Sequence, residues 1–574
     1  MINLKVNPFF LDDEAEKWVY DTLAKMDDND KIGQIFCLES ISGEVADMQH
    51  CYDVFQPGGA MHRPNKIAGL RVAANEMQKR VQIPMLIAGN LCHGGSDVSV
   101  DGQPYATAMG VGATGDTEYA FKQGVLCGES GKVGGANWAF APVCDINMNP
   151  MSSVINVRGY GDRAEEVGDM AAAYIKGVQS VGVAASFKHF PGDGVDFRDQ
   201  HVTISVNSLS CEEWDNTFGK VYKKCIDAGS LTCMIGHITM PAYSMKFNPS
   251  LTYGECLPGS LSKELLQDLL RDQLGFNGMI VSDAAQMAGM AAQLTREEAV
   301  PLCIEAGCDM FLFYRDFDED VEYMRKGLEN GKLSRKRLDE AVIRILATKA
   351  ALGLHKGVPA LPPEEDLHKP EYKEWAYDVS DKAITLAKNL REDLFPITPD
   401  KYKKIIVYSH VSKNVEPPVM RPEMGKFVMG DKHALCNYFI KKLEEEGFEV
   451  TLYNEEMAIE KKLNSYHSKE AIKEFDVAIH FANVQNESGR AARILYQGHC
   501  SNDAADTDMY IPNVLISMGS PYLLADAPRV KTCINCYTAA PHVVDVLVDK
   551  LVGRSEFKGV SPVDQFCGME DTKW

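Results

Sequence analysis

Along the first 355 residues, short runs that are apolar at every position alternate with longer stretches whose apolar residues recur every three or four positions. The unbroken runs are IPMLIA (83–88), NWAFAPV (137–143), VAASF (183–187), LTCMIGH (231–237), GMIVSD (278–283) and DMFLFY (309–314). A strand covered on both faces has no polar side to show, so each run is predicted to be a parallel strand of a buried sheet. The stretches DTEYAFKQGVLCGESGKVGG, EEVGDMAAAYIKGVQSVG and SKELLQDLLRDQLGF carry the spacing of amphipathic helices between them. Strand–helix units repeated over about 250 residues or more predict an α/β fold, a (β/α)8 barrel of the TIM type, over residues 1–355. The helix LDEAVIRILATKAALGL ends it near Leu354. The proline- and charge-rich HKGVPALPPEEDLHKP and the helix YKEWAYDVSDKAITLAKN then form a linker and connecting helix over 356–398. A second set of apolar runs, KKIIVYSHV (403–411), FDVAIHFANV (475–484), NVLISMG (513–519) and KTCINCY (531–537), predicts an α/β sandwich with a mostly parallel sheet over 399–574.

Composition narrows the class. The formal charge of −22 argues against a nucleic-acid or anionic-membrane partner. There is no apolar run of about 18 residues and no basic segment leading into an apolar one, so neither a membrane span nor a signal peptide is expected. The 16 cysteines are scattered, with Cys92, Cys144, Cys233 and Cys303 inside apolar runs. They read as free thiols in a reducing compartment, and the expected location is cytoplasmic. Cys533-x-x-Cys536 reads as a strand feature rather than a redox or zinc pair, and GVGATG (110–115) as a turn. His93, His189, His201 and His237 lack the helical i, i+4 spacing with a glutamate, so no metal is expected, and no cofactor loop is visible.

Polar residues gather just past the predicted strands: Asn90 and His93, Asp145, Lys188 and His189, His237, and Asp283. In (β/α)8 barrels that end of the strands carries the chemistry. Asp283 follows an all-apolar run, where a carboxylate is costly to desolvate unless it is used or paired. An aspartate there would equally cap a helix through AAQMAGMAAQ. The segment FKHFPGDGVDFRDQH (187–201) holds a Lys-His pair at one end and Asp199 and His201 at the other. Histidine titrates near neutrality and a nearby carboxylate sets its tautomer, which suits a general acid/base. Gly192 and Gly194 would supply the hinge of a mobile loop.

These segments together resemble glycoside hydrolase family 3 over nearly the whole chain. The resemblance is carried by MDDNDKIGQIF, GVGATGDTEYAFKQGVLCGESGKVGGANWAFAPVCDI, SLSKELLQDLLRDQLGFNGMIVSD and NVLISMGSPYLLADAPRVKTCINCYTAAP. It implies that Asp283 is the nucleophile of a retaining glycosidase working through a covalent glycosyl-enzyme. It also implies that Lys188, His189 and Arg158 (in NVRGYGDR) bind sugar hydroxyls, with Asn90 and His237 in the same substrate-binding set. The β-N-acetylglucosaminidase branch carries K-H-F-P-G-H-G…D-S-H on its loop. Asp199 and His201 match its dyad, His201 as acid/base and Asp199 as its partner.

The chain departs from that branch at two places. Asp193 stands where the branch has a histidine, and reads as a turn residue. Asn90 stands near where related enzymes have an aspartate, and NLCHG looks more like the D-x-x-H-G of the β-glucosidase branch. That branch draws a glutamate acid/base from its second domain, which makes Glu487 in VQNESGRAARIL the alternative. The expected function is a retaining exo-β-N-acetylhexosaminidase that removes terminal N-acetyl-β-D-glucosamine-type residues from small glycans or cell-wall fragments. The alternatives are a β-glucosidase-type exo-glycosidase, a phosphorylase using the same dyad, and a catalytically silent sugar-binding protein. A small oligosaccharide or glycoside is the expected partner, and a homodimer is left open.

Overall fold

The computed structural model describes residues 2–40, 48–412, 419–421, 426–428, 431–454, 460, 472–486, 489–494 and 508–574. Its contacts divide the chain into two compact units. The first comprises Met1–Tyr105, Thr117–Ile155 and Arg163–Lys373. The second comprises Glu374–Trp574 together with Ala106–Asp116 and Asn156–Asp162 from the first third of the chain.

The first unit is an eight-stranded parallel barrel: β1 Phe36–Ser40, β2 Gly59–His62, β3 Leu86–Gly89, β4 Trp138–Ala139, β5 Ala184–Phe190, β6 Thr232–Ile235, β7 Met279–Ser282 and β8 Phe311–Leu312. Each strand pairs with the next in sequence, and β8 returns to pair with β1. The ring is completed between β7 and β8 by a parallel bridge, Val281 to Met310, with Ser282 N–H donating to Met310 O (3.1 Å). The six predicted runs are all present as strands, and every residue of β5 is buried. The two the pattern misses are β1, FCLES, where Glu39 breaks the apolar run, and β2, GAMH, whose two small residues and terminal histidine make no apolar run.

Two features explain why this chain closes so tightly. The helices Thr117–Val133 and Ala164–Ser180 approach to backbone contact through glycine: a Cβ on Gly124 would lie 2.4 Å from Tyr174 O, and one on Gly177 2.2 Å from Phe121 O. At the start of β8, the buried Asp309 accepts from Arg271 Nη2 (2.7 Å), Arg337 Nη2 (2.5 Å) and Ile280 N–H (2.8 Å). One carboxylate thereby ties the last strand to β7 and to two helices, and a buried charge is tolerable only when paired this thoroughly.

The second unit holds a six-stranded sheet: β9 Thr385–Asn389, β10 Lys404–Val411, β11 Glu449–Leu452, β12 Val477–Asn483, β13 Asn513–Ser517 and β14 Thr532–Asn535. The spatial order is β9-β14-β13-β12-β10-β11, parallel except for β9, which runs antiparallel to β14. Alternate residues feed opposite cores. Val407, Ile479, Phe481 and Ile516 pack with Phe439 and Leu443 of helix Ala434–Glu445 and with Val544 and Leu547 of helix Pro541–Leu551. Ile406, Tyr408 and Ala478 form a cluster with Ile472, and Leu515 and Cys533 one with Leu524 and Val530. This is the sandwich the apolar runs predicted.

Two expectations are corrected in this unit. The predicted helix YKEWAYDVSDKAITLAKN is helical only to Ala383, and its end, TLAKN, forms β9. GVGATG is not a turn but forms most of the helix Ala108–Thr114, whose first turn is capped by Thr107 accepting from Gly110 N–H (3.2 Å). It stops at Gly115, in the left-handed conformation at φ 66° that favours glycine at a helix end. Cys533 and Cys536 are buried and free, as are most of the other described cysteines, and none of those described is in a disulfide. No helix among the described residues is long and apolar enough to cross a membrane.

Candidate active site

The first residue after β7 is Asp283, fixed by its N–H donating to Ile235 O at the end of β6 (2.8 Å). Its carboxylate accepts from Ala284 N–H (2.8 Å), and its side chain is 13% exposed. The helix-cap reading fails, because the next helix begins only at Ala288. Burial pushes the Asp283 carboxyl up, but the surrounding imidazoles of His189, His237 and His201 and the Ala284 N–H outweigh it, so it is held below the ordinary aspartate value. Asp283 is therefore a largely buried, ionised carboxylate.

The histidines around it have assignable tautomers. His189, near the end of β5, donates from Nδ1 to Asp145 Oδ2 (2.6 Å) and presents Nε2 3.9 Å from Asp283 Oδ2. Asp145 also accepts the backbone N–H of His189 (3.1 Å) and of Asp193 (2.8 Å). His237, just past β6, donates from Nε2 to Ala284 O (3.0 Å), which leaves Nδ1 to accept from Ser260 Oγ (2.7 Å). Burial holds both histidines below the usual imidazole value, His189 in spite of Asp145 and His237 in spite of Asp283. Neutral imidazoles of fixed orientation next to a carboxylate are suited to grip hydroxyl groups. Lys188 precedes His189 on the strand, is buried, and lies close enough to disfavour charge on His189.

The loop after β5 brings the second half of the site. Asp199 is buried and accepts from both the Nδ1 of His201 (2.6 Å) and its backbone N–H (2.8 Å). The His201 side chain itself is 44% exposed, with Nδ1 the ring nitrogen engaged by Asp199. Two backbone bonds pin this end of the loop over the segment that follows Asp283: Ala288 N–H to His201 O (3.1 Å) and Gly289 N–H to Gln200 O (3.0 Å). Gly192 and Gly194, expected as a hinge, sit at φ 119° and 95°. A Cβ on Gly194 would lie 2.1 Å from Ile146 O, so here these glycines serve close approach as well as backbone conformation.

Asp283, Lys188, His189, His237, Asp199 and His201 thus all belong to the first unit, around the carboxyl ends of β5, β6 and β7. Asn90 follows β3 and is half-buried. Arg158 ends the helical turn Asn156–Arg158 and is grouped with the second unit. Glu487 lies outside the described residues. Sequence reasoning left out three participants: Asp145, which orients His189; Ser260, which orients His237; and the buried Gln200. Asp145 stood among the polar residues at strand ends, but nothing in the chain's spacing marks Ser260.

The ionisable groups thus sit at the carboxyl ends of the barrel strands, where barrels of this kind carry their chemistry. The profile of the glycosyl hydrolase family 3 N-terminal domain matches residues 29–348. A β-N-acetylglucosaminidase/β-glucosidase of Cellulomonas fimi is 39% identical over 580 residues, covering 100% of both chains. A β-hexosaminidase A of Pseudoalteromonas piscicida is 28% identical over 57% of this chain and 58% of its own. Among solved structures, the β-glucoside phosphorylase BglX aligns with a TM-score of 0.90 at 37% identity over 99% of each chain. A family 3 β-N-acetylglucosaminidase from Paenibacillus aligns at 0.77 with 24% identity, over 94% of this chain and 99% of its own, and supports the two-domain fold. The chain belongs to glycosyl hydrolase family 3, and is an enzyme of that family.

Proposed function

We propose that the protein is a retaining exo-β-N-acetylhexosaminidase that releases terminal N-acetyl-β-D-glucosamine-type residues from small glycans or cell-wall fragments. The observation that carries this reading is the Asp199–His201 pair, 2.6 Å apart, with a half-exposed imidazole on a loop fastened beside the buried, ionised Asp283. Asp283 attacks the anomeric carbon as the glycosidic bond breaks. The imidazolium of His201 gives its Nε2 proton to the leaving oxygen and keeps its Nδ1 proton on Asp199. The freed Nε2 then takes a proton from water as that water displaces Asp283 from the sugar. Lys188, His189 and His237 hold hydroxyls of the sugar, and Asn90 completes the binding set of this unit. The names of the Cellulomonas and Pseudoalteromonas relatives support the choice of sugar.

Asp283→Asn is expected to abolish turnover of an aryl N-acetyl-β-glucosaminide while leaving the fold intact. His201→Ala is expected to lower kcat/KM by about 10²–10⁴-fold on poorly activated leaving groups and far less on activated ones. If Glu487→Gln shows that leaving-group dependence and His201→Ala does not, the acid/base is the glutamate.

A second reading, with phosphate as acceptor, is favoured by the likeness to the β-glucoside phosphorylase. A carboxylate base would repel inorganic phosphate, whereas a neutral imidazole does not. Adding phosphate to the assay distinguishes the two: a sugar 1-phosphate product establishes phosphorolysis, and free sugar alone establishes hydrolysis.

A further inference from the structure

Asp193 replaces the histidine of the branch this chain otherwise resembles, and Gln200 stands between the two members of the dyad. Neither is a surface turn residue, since Asp193 is 2% exposed and Gln200 not at all. Gln200 Nε2 donates to Asp193 Oδ2 (3.3 Å), and its Oε1 accepts the backbone N–H of His237 (2.6 Å). The other carboxylate oxygen of Asp193 accepts Gly194 N–H (2.7 Å), while its own N–H is held by Asp145. A hydrogen-bonded chain therefore runs from Asp145 beneath the sugar-binding His189, through Asp193 and Gln200, to His237, and on to Ala284 next to the nucleophile.

We propose that Asp193 and Gln200 form a buried latch, a pair of positioning residues that holds the Asp199–His201 dyad over Asp283. The proposal rests on His201 being the acid/base. Gln200 is bonded at both ends of its amide to fixed groups, and its neighbours in the chain are the dyad itself. The amide can take only one orientation: its oxygen must face the His237 N–H, so its NH₂ must face an acceptor, and Asp193 Oδ2 is that acceptor. Fixing a catalytic proton donor to within a fraction of an ångström is what such a latch supplies, since about 1 Å of misplacement costs on the order of a hundredfold in rate.

The polarity of these hydrogen bonds dictates the test. In Asp193→Asn the new NH₂ meets the NH₂ of Gln200, and flipping Gln200 only moves the clash to the His237 N–H. The double variant Asp193→Asn with Gln200→Glu restores both bonds of residue 200: asparagine donates to one glutamate oxygen and the other accepts from His237. Each protein, with His201→Ala alongside, is assayed for kcat/KM on dinitrophenyl and methoxyphenyl glycosides of a sugar the wild type turns over, and its melting temperature is measured. Asp193→Asn is expected to lose on the order of tenfold to a hundredfold on the methoxyphenyl substrate and less than about threefold on the dinitrophenyl one, with recovery in the double variant. Equal losses on both substrates, or a double variant no better than the single, overturn the latch. If His201→Ala itself shows no leaving-group dependence, the acid/base reading falls and the latch with it. If it does and Asp193→Asn does not, only the latch falls.

Discussion

Lys349 is wholly buried on the helix Arg335–Ala351, where its ammonium donates to Gln34 Oε1 (2.7 Å). No carboxylate contributes to its ionisation, and burial pushes it down to about 7. Between that value and the ordinary lysine value of 10.5, the unfolded chain binds a proton the native chain does not, so stability rises with pH across this window. Below about 7 the cost of the buried charge is fully present. Lys349→Met is therefore expected to gain stability relative to wild type at pH 7 and to lose that advantage by about pH 10, read from denaturant midpoints at the two pH values. A difference that does not change with pH would mean the lysine is not desolvated as described. At this scale the chain's own residues were only partly legible. Asp283 and the Asp199–His201 pair could be picked out because chemistry-bearing residues stood at strand ends or on a glycine-bounded loop. Gln200 could not, because an amide in a loop carries no mark of burial until its neighbours are placed.

Helices and strands show how elements are forced into register. Gly177 lies where the helix Ala164–Ser180 touches the backbone of Thr117–Val133, and its missing side chain leaves room for Phe121 O. Gly177→Ala is expected to destabilise by about 1–3 kcal/mol, because the new methyl meets backbone that cannot yield. Gly69 is the contrasting case, inside the helix Ile67–Lys79 with nothing within 4 Å of the place an added Cβ would take. Gly69→Ala is expected to stabilise by about 1 kcal/mol through helix propensity alone. Thermal unfolding of the two variants checks both signs in one experiment. Six of the eight barrel strands were readable because burial on both faces writes an unbroken apolar run. The other two were not, since Glu39 interrupts β1 and the GAMH of β2 is too weakly apolar to stand out.

Across the whole molecule, several histidines are buried in the neutral form. His62, His410 and His542 are each pushed down to about 4 by burial, and His480, 3.0 Å from His410, is lowered further by its neighbour. Each has a folded value below its unfolded one of 6.5, so its contribution is present above 6.5 and lost as pH falls toward 4. The protein is expected to lose thermal stability over that interval, the loss beginning above the range in which its ordinary carboxylates titrate. Midpoints at pH 7, 6, 5 and 4.5 test it, and a flat profile would contradict the neutral-histidine description.

The amino-acid sequence by itself determined the two α/β architectures, because strand burial and helix amphipathicity are local properties that leave a periodic trace. It also marked where ionisable groups gather, because they are conspicuous where apolar runs end. Only the tertiary structure decided how those groups are tuned. Asp283 is held below the ordinary aspartate value, against its burial, by imidazoles that favour its charge whenever they are protonated and by the Ala284 N–H. His189 and His237 keep fixed tautomers because Asp145, Ser260 and Ala284 O hold them. Asp193 ceased to be a turn residue once Gln200, seven positions on, was folded against it. Such relations depend on distances across the barrel mouth, and hydrogen-bond energies fall away within an ångström, so no one-dimensional pattern can encode them.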